Sequence, residues 1–186
     1  MLTRFNARYA KLLFIFGSIV GISCAHAEAI LSYISLKEIR EQGIVMQQWE
    51  NSCAAASIAT VLTYGFRDPV SEAYAAEMML KQTDVKKVKA QGGFSLLDLK
   101  NFVESRGYVG RAYKSLGFDD LKVFHAPIVP IDVKGYNHYV ILNGSVGNTV
   151  HFADPAFGHR TMTIPEFEKI WLGGMAFIVT RKETTQ

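Results

Sequence analysis

The spacing of apolar positions divides the chain into a helical half and a strand-rich half. Cys53 to Tyr64 is rich in alanine, carries Ile58, Val61 and Leu62 at helical spacing, and stops before Gly65. Pro69 to Gln82 reads as a second helix, with Asp68 as its cap and Pro69 at its first position. Beyond the Gly92-Gly93 loop, Ser95-Leu96-Leu97-Asp98 is a capping-box variant. It opens a helix that runs to Arg106 and is closed by Gly107. From there the period shortens. Val109 to Tyr113 is extended, Leu116 to Phe124 a small helix, and Ala126 to Val133 a strand. His138 to Leu142 and Thr149 to Ala153 form a hairpin pair around Asn143-Gly144 and Gly147-Asn148. Pro165 to Trp171 is a short helix and Met175 to Thr180 a final strand. Helices first and strands second predict an α+β domain, its N-terminal helical half packed on a C-terminal antiparallel sheet.

The first residues belong to another pattern. Arg4, Arg8 and Lys11 precede the apolar run from Leu12 to Ile22, and Ala25-His26-Ala27 follows it. This order of charge, apolar core and small-x-small predicts a signal peptide over residues 1–27, cleaved after Ala27. The run is short for a bilayer span, which takes about 20 residues. A lipidated N-terminal Cys24 is the rival reading, and Gly21-Ile22-Ser23-Cys24 is a poor form of that signal because it lacks a leucine at its start. Residues 28–186 then make one domain.

The leader changes what the charge means. Three of the 20 basic residues lie in it, which leaves 17 basic against 17 acidic in residues 28–186. The net charge of +3 belongs to the leader. Bulk charge therefore gives no pointer to nucleic acid or to an anionic membrane. Lys86-Lys87-Val88-Lys89 is a short basic run read as a solvated helix end or loop.

Cleavage would also leave Cys53 as the lone cysteine, which is unusual for an exported chain, where cysteines normally pair. Cys53 stands where a polar stretch gives way to an apolar helix. A helix N-terminus favours an anion there, and its N–H groups can hold the oxyanion of a tetrahedral intermediate. Gln47, six residues upstream, is placed to supply a side-chain amide to the same oxyanion, and Gln48 is one residue out of register. His138 opens an alternating strand at its mouth, and Asp154 ends another. His125 and His159 fall in loops and His151 in the strand predicted to pair with that of His138. No pair of these residues has ligand spacing on one element, so neither a metal site nor a cofactor is expected. Gly92-Gly93 and Gly173-Gly174 read as turn glycines. Trp49 reads as core packing or a wall of the cleft, and Phe167 and Trp171 as core.

Together these motifs resemble the C39 family of papain-like cysteine peptidases, the double-glycine or bacteriocin-processing peptidases. The resemblance rests on Gln47-x5-Cys53 at a helix start, His138-Tyr139-Val140-Ile141-Leu142-Asn143-Gly144, Ala153-Asp154-Pro155-Ala156-Phe157-Gly158 and Glu166-Phe167-x3-Trp171-x-Gly173, in the family's order. It runs from Val45 to Val179. It implies a papain-like fold with Cys53 as nucleophile, His138 as base and acid, Asp154 orienting His138, and Gln47 with the Cys53 N–H as oxyanion hole. It also implies a polypeptide substrate, an exported protein or leader peptide cut after Gly-Gly, in support of a secretion or functional-amyloid assembly system. The chain departs from the family in two places. Ala54 stands where glycine usually follows the cysteine, and Ser52 stands where an acidic residue often precedes it. The leader, the neutral charge and the lack of paired cysteines place the protein in a Gram-negative periplasm. A papain-fold acyltransferase or amidase with the same triad, or a non-catalytic peptide-binding module, is the alternative.

Overall fold

One six-stranded antiparallel sheet divides the protein into two cores, each fed by alternate residues of the same strands. A computed structural model describes residues 34–183, so the predicted leader over residues 1–27, Cys24 included, lies outside the described residues. The strands are β1 (Tyr108–Tyr113), β2 (Ile128–Val133), β3 (Tyr136–Val146), β4 (Thr149–Asp154), β5 (Gly158–Thr163) and β6 (Ala176–Arg181). They lie in the order β1-β6-β2-β3-β4-β5. The helices are α1 (Leu36–Glu41), α2 (Cys53–Thr60), α3 (Glu72–Leu80), α4 (Val85–Ala90), α5 (Leu96–Ser105) and α6 (Ile164–Ile170).

The period-2 pleat explains the two cores. Ile128, Ile141, Ala153, Phe177 and Val179 pack with Ile58, Leu62, Met79, Leu99 and Phe102 of the helical half. Their strand neighbours Val129, Val140, Leu142, Phe152 and Ile178 point the other way, to Phe118, Leu121 and Phe167. Burying side chains such as Phe102, Phe152, Phe167 and Phe177 contributes about 1.5–3 kcal/mol each. The alanines of α2 let it approach the sheet closely, and all eight of its residues are buried. Its polar members are paired inside the core: Thr60 Oγ1 donates to the Ala56 carbonyl at 2.8 Å and accepts the Val45 N–H at 2.9 Å.

The α+β reading holds, and so does the order of helices before strands. Ser95 and Asp98 form a complete capping box on α5. Several details differ. The second helix begins at Glu72 and is capped by Ser71, whose hydroxyl accepts the Tyr74 N–H at 3.2 Å. Val70 exchanges hydrogen bonds with Thr63 Oγ1, which keeps the approach to α3 out of the helix, and Asp68 pairs with Arg106 instead of capping. The helix of Cys53 passes at Val61 into a π-helical turn that ends at Gly65. The Leu116 to Phe124 segment is a 3-10 helix over Phe118–Val123.

The long hairpin turns at Gly147-Asn148, closed by the Val146–Thr149 pair, whereas Asn143-Gly144 is a bulge inside β3. The basic run at Lys86 is α4, a helix with Val88 as its buried residue. His159 lies in β5 and not in a loop. Trp49 is 53% exposed and takes no part in the core, while Phe167 is fully buried in it.

Candidate active site

The site is built where the N-terminus of α2 meets the ends of β3 and β4. Lys134 and Gly135, both in the left-handed region, make the tight turn from β2, and Asp132 Oδ1 accepts the Gly135 N–H at 2.7 Å. The turn delivers His138 to the mouth of β3, where it is buried. The β3–β4 register pairs Ile141 with Ala153. One step further it brings Asp154 to the same face as His138, a diagonal neighbour on the adjacent strand. His138 Nε2 lies 2.8 Å from Asp154 Oδ1. This leaves Nδ1 as the ring nitrogen for the Cys53 sulfur, which stands at the start of α2 close enough to help raise the His138 pKa. Cys53 is a free thiol, buried at the first position of its helix.

Asp154 has no exposed surface, and both of its oxygens accept hydrogen bonds. Its Oδ1 also accepts the Ala156 N–H at 2.9 Å, and Oδ2 accepts from Arg160 Nη1 at 3.2 Å. Burial alone would push its pKa up, yet the bonds from His138, Ala156 and Arg160 hold it below the ordinary carboxylate value. For His138 burial disfavours charge, but the hydrogen bond to Asp154, with Cys53 adding to it, outweighs that and pushes it up to about 9. His138 is therefore an imidazolium at neutral pH, facing a sulfur and a carboxylate.

Gln47 enters the site from the loop before α2. Its backbone N–H donates to the Pro155 carbonyl at 2.7 Å, which ties it to the turn after Asp154. Its side-chain Nε2 donates one proton to the Trp49 carbonyl at 2.7 Å, leaving the second N–H free. Gln47 and His138 line the same groove. Gln48 turns aside: its side chain bonds the Met46 carbonyl at 3.3 Å, and its backbone N–H goes to Glu72. Ser52, at the N-cap position of α2, makes no capping bond. Among the described residues the unpaired buried side-chain oxygens are Gln47 Oε1, Asn51 Oδ1 and Glu72 Oε2, all in this loop or against it.

Around Cys53 the cleft has two unequal compartments. The smaller, about 190 Å³, is lined by Cys53, Gly92, Gly93, Phe94, Asn137 and Tyr139. Gly93 has a φ of +146° and abuts the Asn51 carbonyl, where an added Cβ would come to 3.0 Å. The glycine pair is thus a wall of the cleft, and Tyr139, pushed up to about 12 by burial and by Cys53, stays neutral there. The larger compartment, about 650 Å³, is a groove that runs past Gln47, His138, Tyr136, Lys89 and Phe157. Ala54 is fully buried in the first core, so its methyl lies away from both compartments.

The structure brings Cys53, His138 and Asp154 together with Gln47 beside them. It leaves the other histidines outside. His125 lines a separate cavity of about 240 Å³ beside the 3-10 helix, and His159 Nε2 donates to the Gln42 carbonyl at 2.9 Å. Sequence reasoning missed Arg160 and Glu72. Arg160 follows Asp154 by six positions on an unpredicted strand, and Glu72 reads as an ordinary acid in a helix's first turn.

The peptidase C39 family model matches residues 41–184. The chain belongs to the peptidase C39 family. It is 37% identical over 147 residues to the "probable functional amyloid protease FapD" of Pseudomonas aeruginosa, a match covering 78% of this chain and 63% of that protein. The chain thus spans less than two thirds of that relative's length. Among solved structures it is similar to the peptidase domain of Streptococcus ComA, a bi-functional ABC transporter involved in a quorum sensing pathway. That likeness has a TM-score of 0.62 at 23% identity, covering 75% of this chain and 98% of the domain. A double glycine motif protease from an AMS/PCAT transporter, solved in complex with the leader peptide, gives 0.60 at 24% identity over 75% of this chain and 91% of that one. These two likenesses show the fold alone.

Proposed function

We propose that this chain is a cysteine peptidase that cuts an exported polypeptide after a small residue, using Cys53, His138, Asp154 and Gln47. The observation that carries this is His138, held at 2.8 Å by Asp154 and pushed up to about 9 by that bond with Cys53 adding to it. The Cys53 thiolate attacks the scissile carbonyl carbon, and the carbonyl electrons move to an oxyanion held by the Cys53 N–H and the free N–H of Gln47. The C–N bond breaks as the His138 imidazolium protonates the leaving amine. Neutral His138 then takes a proton from water, the hydroxide attacks the thioester, and the thiolate leaves. Asp154 fixes the ring and stabilises its charged form throughout.

The compartment beside Cys53, walled by Gly93, Phe94 and Tyr139, takes the residues next to the cut bond, and the double glycine motif protease that this chain resembles in fold supports a Gly-Gly preference. Because Ala54 is buried, its methyl does not weigh against that preference. The name of the Pseudomonas relative, a functional amyloid protease, supports an exported fibre subunit or a component of its secretion system as substrate. The leader pattern supports action in the periplasm. Protein recovered from a periplasmic fraction should begin at Glu28 by mass spectrometry, and a lipidated Cys24 or an intact leader would overturn that placement.

The activity is tested by incubating residues 28–186 with peptides spanning Gly-Gly junctions and with exported fibre subunits. Wild type should cut after a small residue while Cys53→Ser leaves every peptide whole. If wild type acylates on an activated ester yet cuts none of them, the peptidase reading fails in favour of an acyltransferase or amidase.

A further inference from the structure

We propose that Glu72 is a positioning residue for the oxyanion hole: from α3 it clamps both ends of the Gln48–Ser52 loop and keeps the N-terminus of α2 uncapped. Glu72 stands at the first position of its helix and is 3% exposed, an unusual burial for a carboxylate at a helix start. A single oxygen, Oε1, accepts the Gln48 backbone N–H at 2.9 Å and the Ser52 hydroxyl. Those two residues flank the loop that separates the two proposed oxyanion donors, the Gln47 amide and the Cys53 N–H.

The clamp continues inward. The Ser52 hydroxyl, shared between Glu72 and the Trp49 carbonyl at 2.7 Å, fixes that carbonyl, which in turn accepts from Gln47 Nε2 at 2.7 Å. A hydrogen-bonded chain therefore runs from Glu72 through Ser52 and Trp49 to Gln47. Serine at an N-cap normally turns its hydroxyl to the N–H groups of the helix's first turn. Here that hydroxyl is held away, and α2 has no side-chain cap. The first intrahelical bond to Ser52 comes from the Ala56 N–H at 2.9 Å, so the N–H groups ahead of it, Cys53 included, remain for an anion. Removing Glu72 frees Ser52 to cap its own helix and lets the Gln47 amide drift.

The inference rests on the acyl-transfer reading of this site but not on the peptide substrate, so the probe is p-nitrophenyl acetate. Acylation of Cys53 by the ester forms an oxyanion, whereas alkylation by iodoacetamide does not. Glu72→Ala should slow acylation about tenfold to a hundredfold at saturating ester. The half-saturating ester concentration and the iodoacetamide rate should stay within about threefold of wild type. Glu72→Gln, which keeps an acceptor oxygen at Oε1, should recover most of the loss. Ser52→Ala should show a weaker loss of the same kind, and adding it to Glu72→Ala should cost little more, because both act through one chain of bonds. Acylation unchanged in Glu72→Ala, or acylation and alkylation falling together, would overturn the proposal. Should Glu72→Ala fail to fold, Ser52→Ala decides by the same two rates. Peptides left uncut while the ester still acylates wild type would count against the peptidase reading and leave this one standing.

Discussion

The two halves of the site are held in opposite ways. His138 and Asp154 ride on neighbouring strands whose pairing is fixed along β2, β3 and β4, and every acceptor of Asp154 is engaged. The loop from Gln47 to Ser52 has no ladder. It contains Asn51 in the left-handed region at φ 64°, an exposed Trp49, and unpaired buried oxygens on Gln47 and Asn51. Each such oxygen costs about 1–3 kcal/mol. A one-residue slip in β3 would carry His138 to the other face and also exchange Val140 and Leu142 with Ile141 between the two cores, so the packing itself guards that half. The loop half depends on a few bonds reaching in from α3 and from the turn after Asp154. Sheet register places the proposed proton-transfer groups, and individual hydrogen bonds place the proposed oxyanion donors.

The sheet-borne half should show the larger effects. His138→Ala is expected to lower peptide cleavage by about 10³ to 10⁴ and to slow alkylation of Cys53 at neutral pH, both read in steady-state and single-turnover assays. Equal alkylation of the variant and wild type would break the link between the ring and the sulfur. Asp154→Asn should lower kcat about 10³-fold and lower thermal stability, since breaking a buried charge pair costs about 3–5 kcal/mol. Asparagine offers a single acceptor and no charge to His138, Ala156 and Arg160.

Asp154 also sets a pH window. With the folded value of His138 raised from 6.5 to about 9, its contribution to stability is full below the unfolded value and is lost as pH rises through 9. Cleavage by the imidazolium form should fall over the same limb, and in Asp154→Asn that limb should move to lower pH.

The loop-borne half comes next. Gln47→Ala should lower kcat about 10²-fold with little change in KM, melting temperature or alkylation rate. That split separates a lost oxyanion donor from a disturbed triad. If alkylation falls with kcat, the loop and the triad are one mechanical unit and the contrast between the halves collapses.

The residues that sequence made legible are those whose placement follows from period. Val140 and Ile141 alternate, so His138 could be set at a strand mouth, and the Ser95–Asp98 capping box marked α5 to within a residue. What stayed hidden lacked a periodic signature. α4 buries only Val88 of its six residues, and α1 has no buried residue. β5 is an edge strand whose side chains are mostly exposed, so its sequence carries no alternation. Asp68 and Ser71 are both able to cap, and the choice was made by Arg106 and Thr63, far along the chain or on another element. Glu72 is hidden for the same reason: its partners are 24 and 20 positions away, and nothing local distinguishes it from a solvated helix acid.

The smallest expected effect probes how over-determined the sheet-borne half is. Arg160 Nη1 reaches Asp154 Oδ2 at 3.2 Å, but the arginine side chain is 42% exposed, so solvent screening limits the pair to about 0–1 kcal/mol. The guanidinium also stacks over Phe152 and Phe157, at 5.8 and 5.5 Å from the ring centroids. Arg160→Gln should therefore reduce cleavage at pH 7 by no more than about threefold, because His138 and Ala156 still hold Asp154. The change should appear at acid pH instead. Asp154 is held below its ordinary value, so its stabilising contribution is present above that value and lost as pH falls through the folded one. Without Arg160 that loss begins at higher pH, visible as a melting temperature that drops earlier on acidification. Arg160→Lys restores the charge without the planar stack, and so divides the electrostatic part from the packing part. A loss of cleavage as large as that of Gln47→Ala would mean that Asp154 depends on Arg160 much as the loop depends on its few bonds, and the two halves would no longer differ in kind.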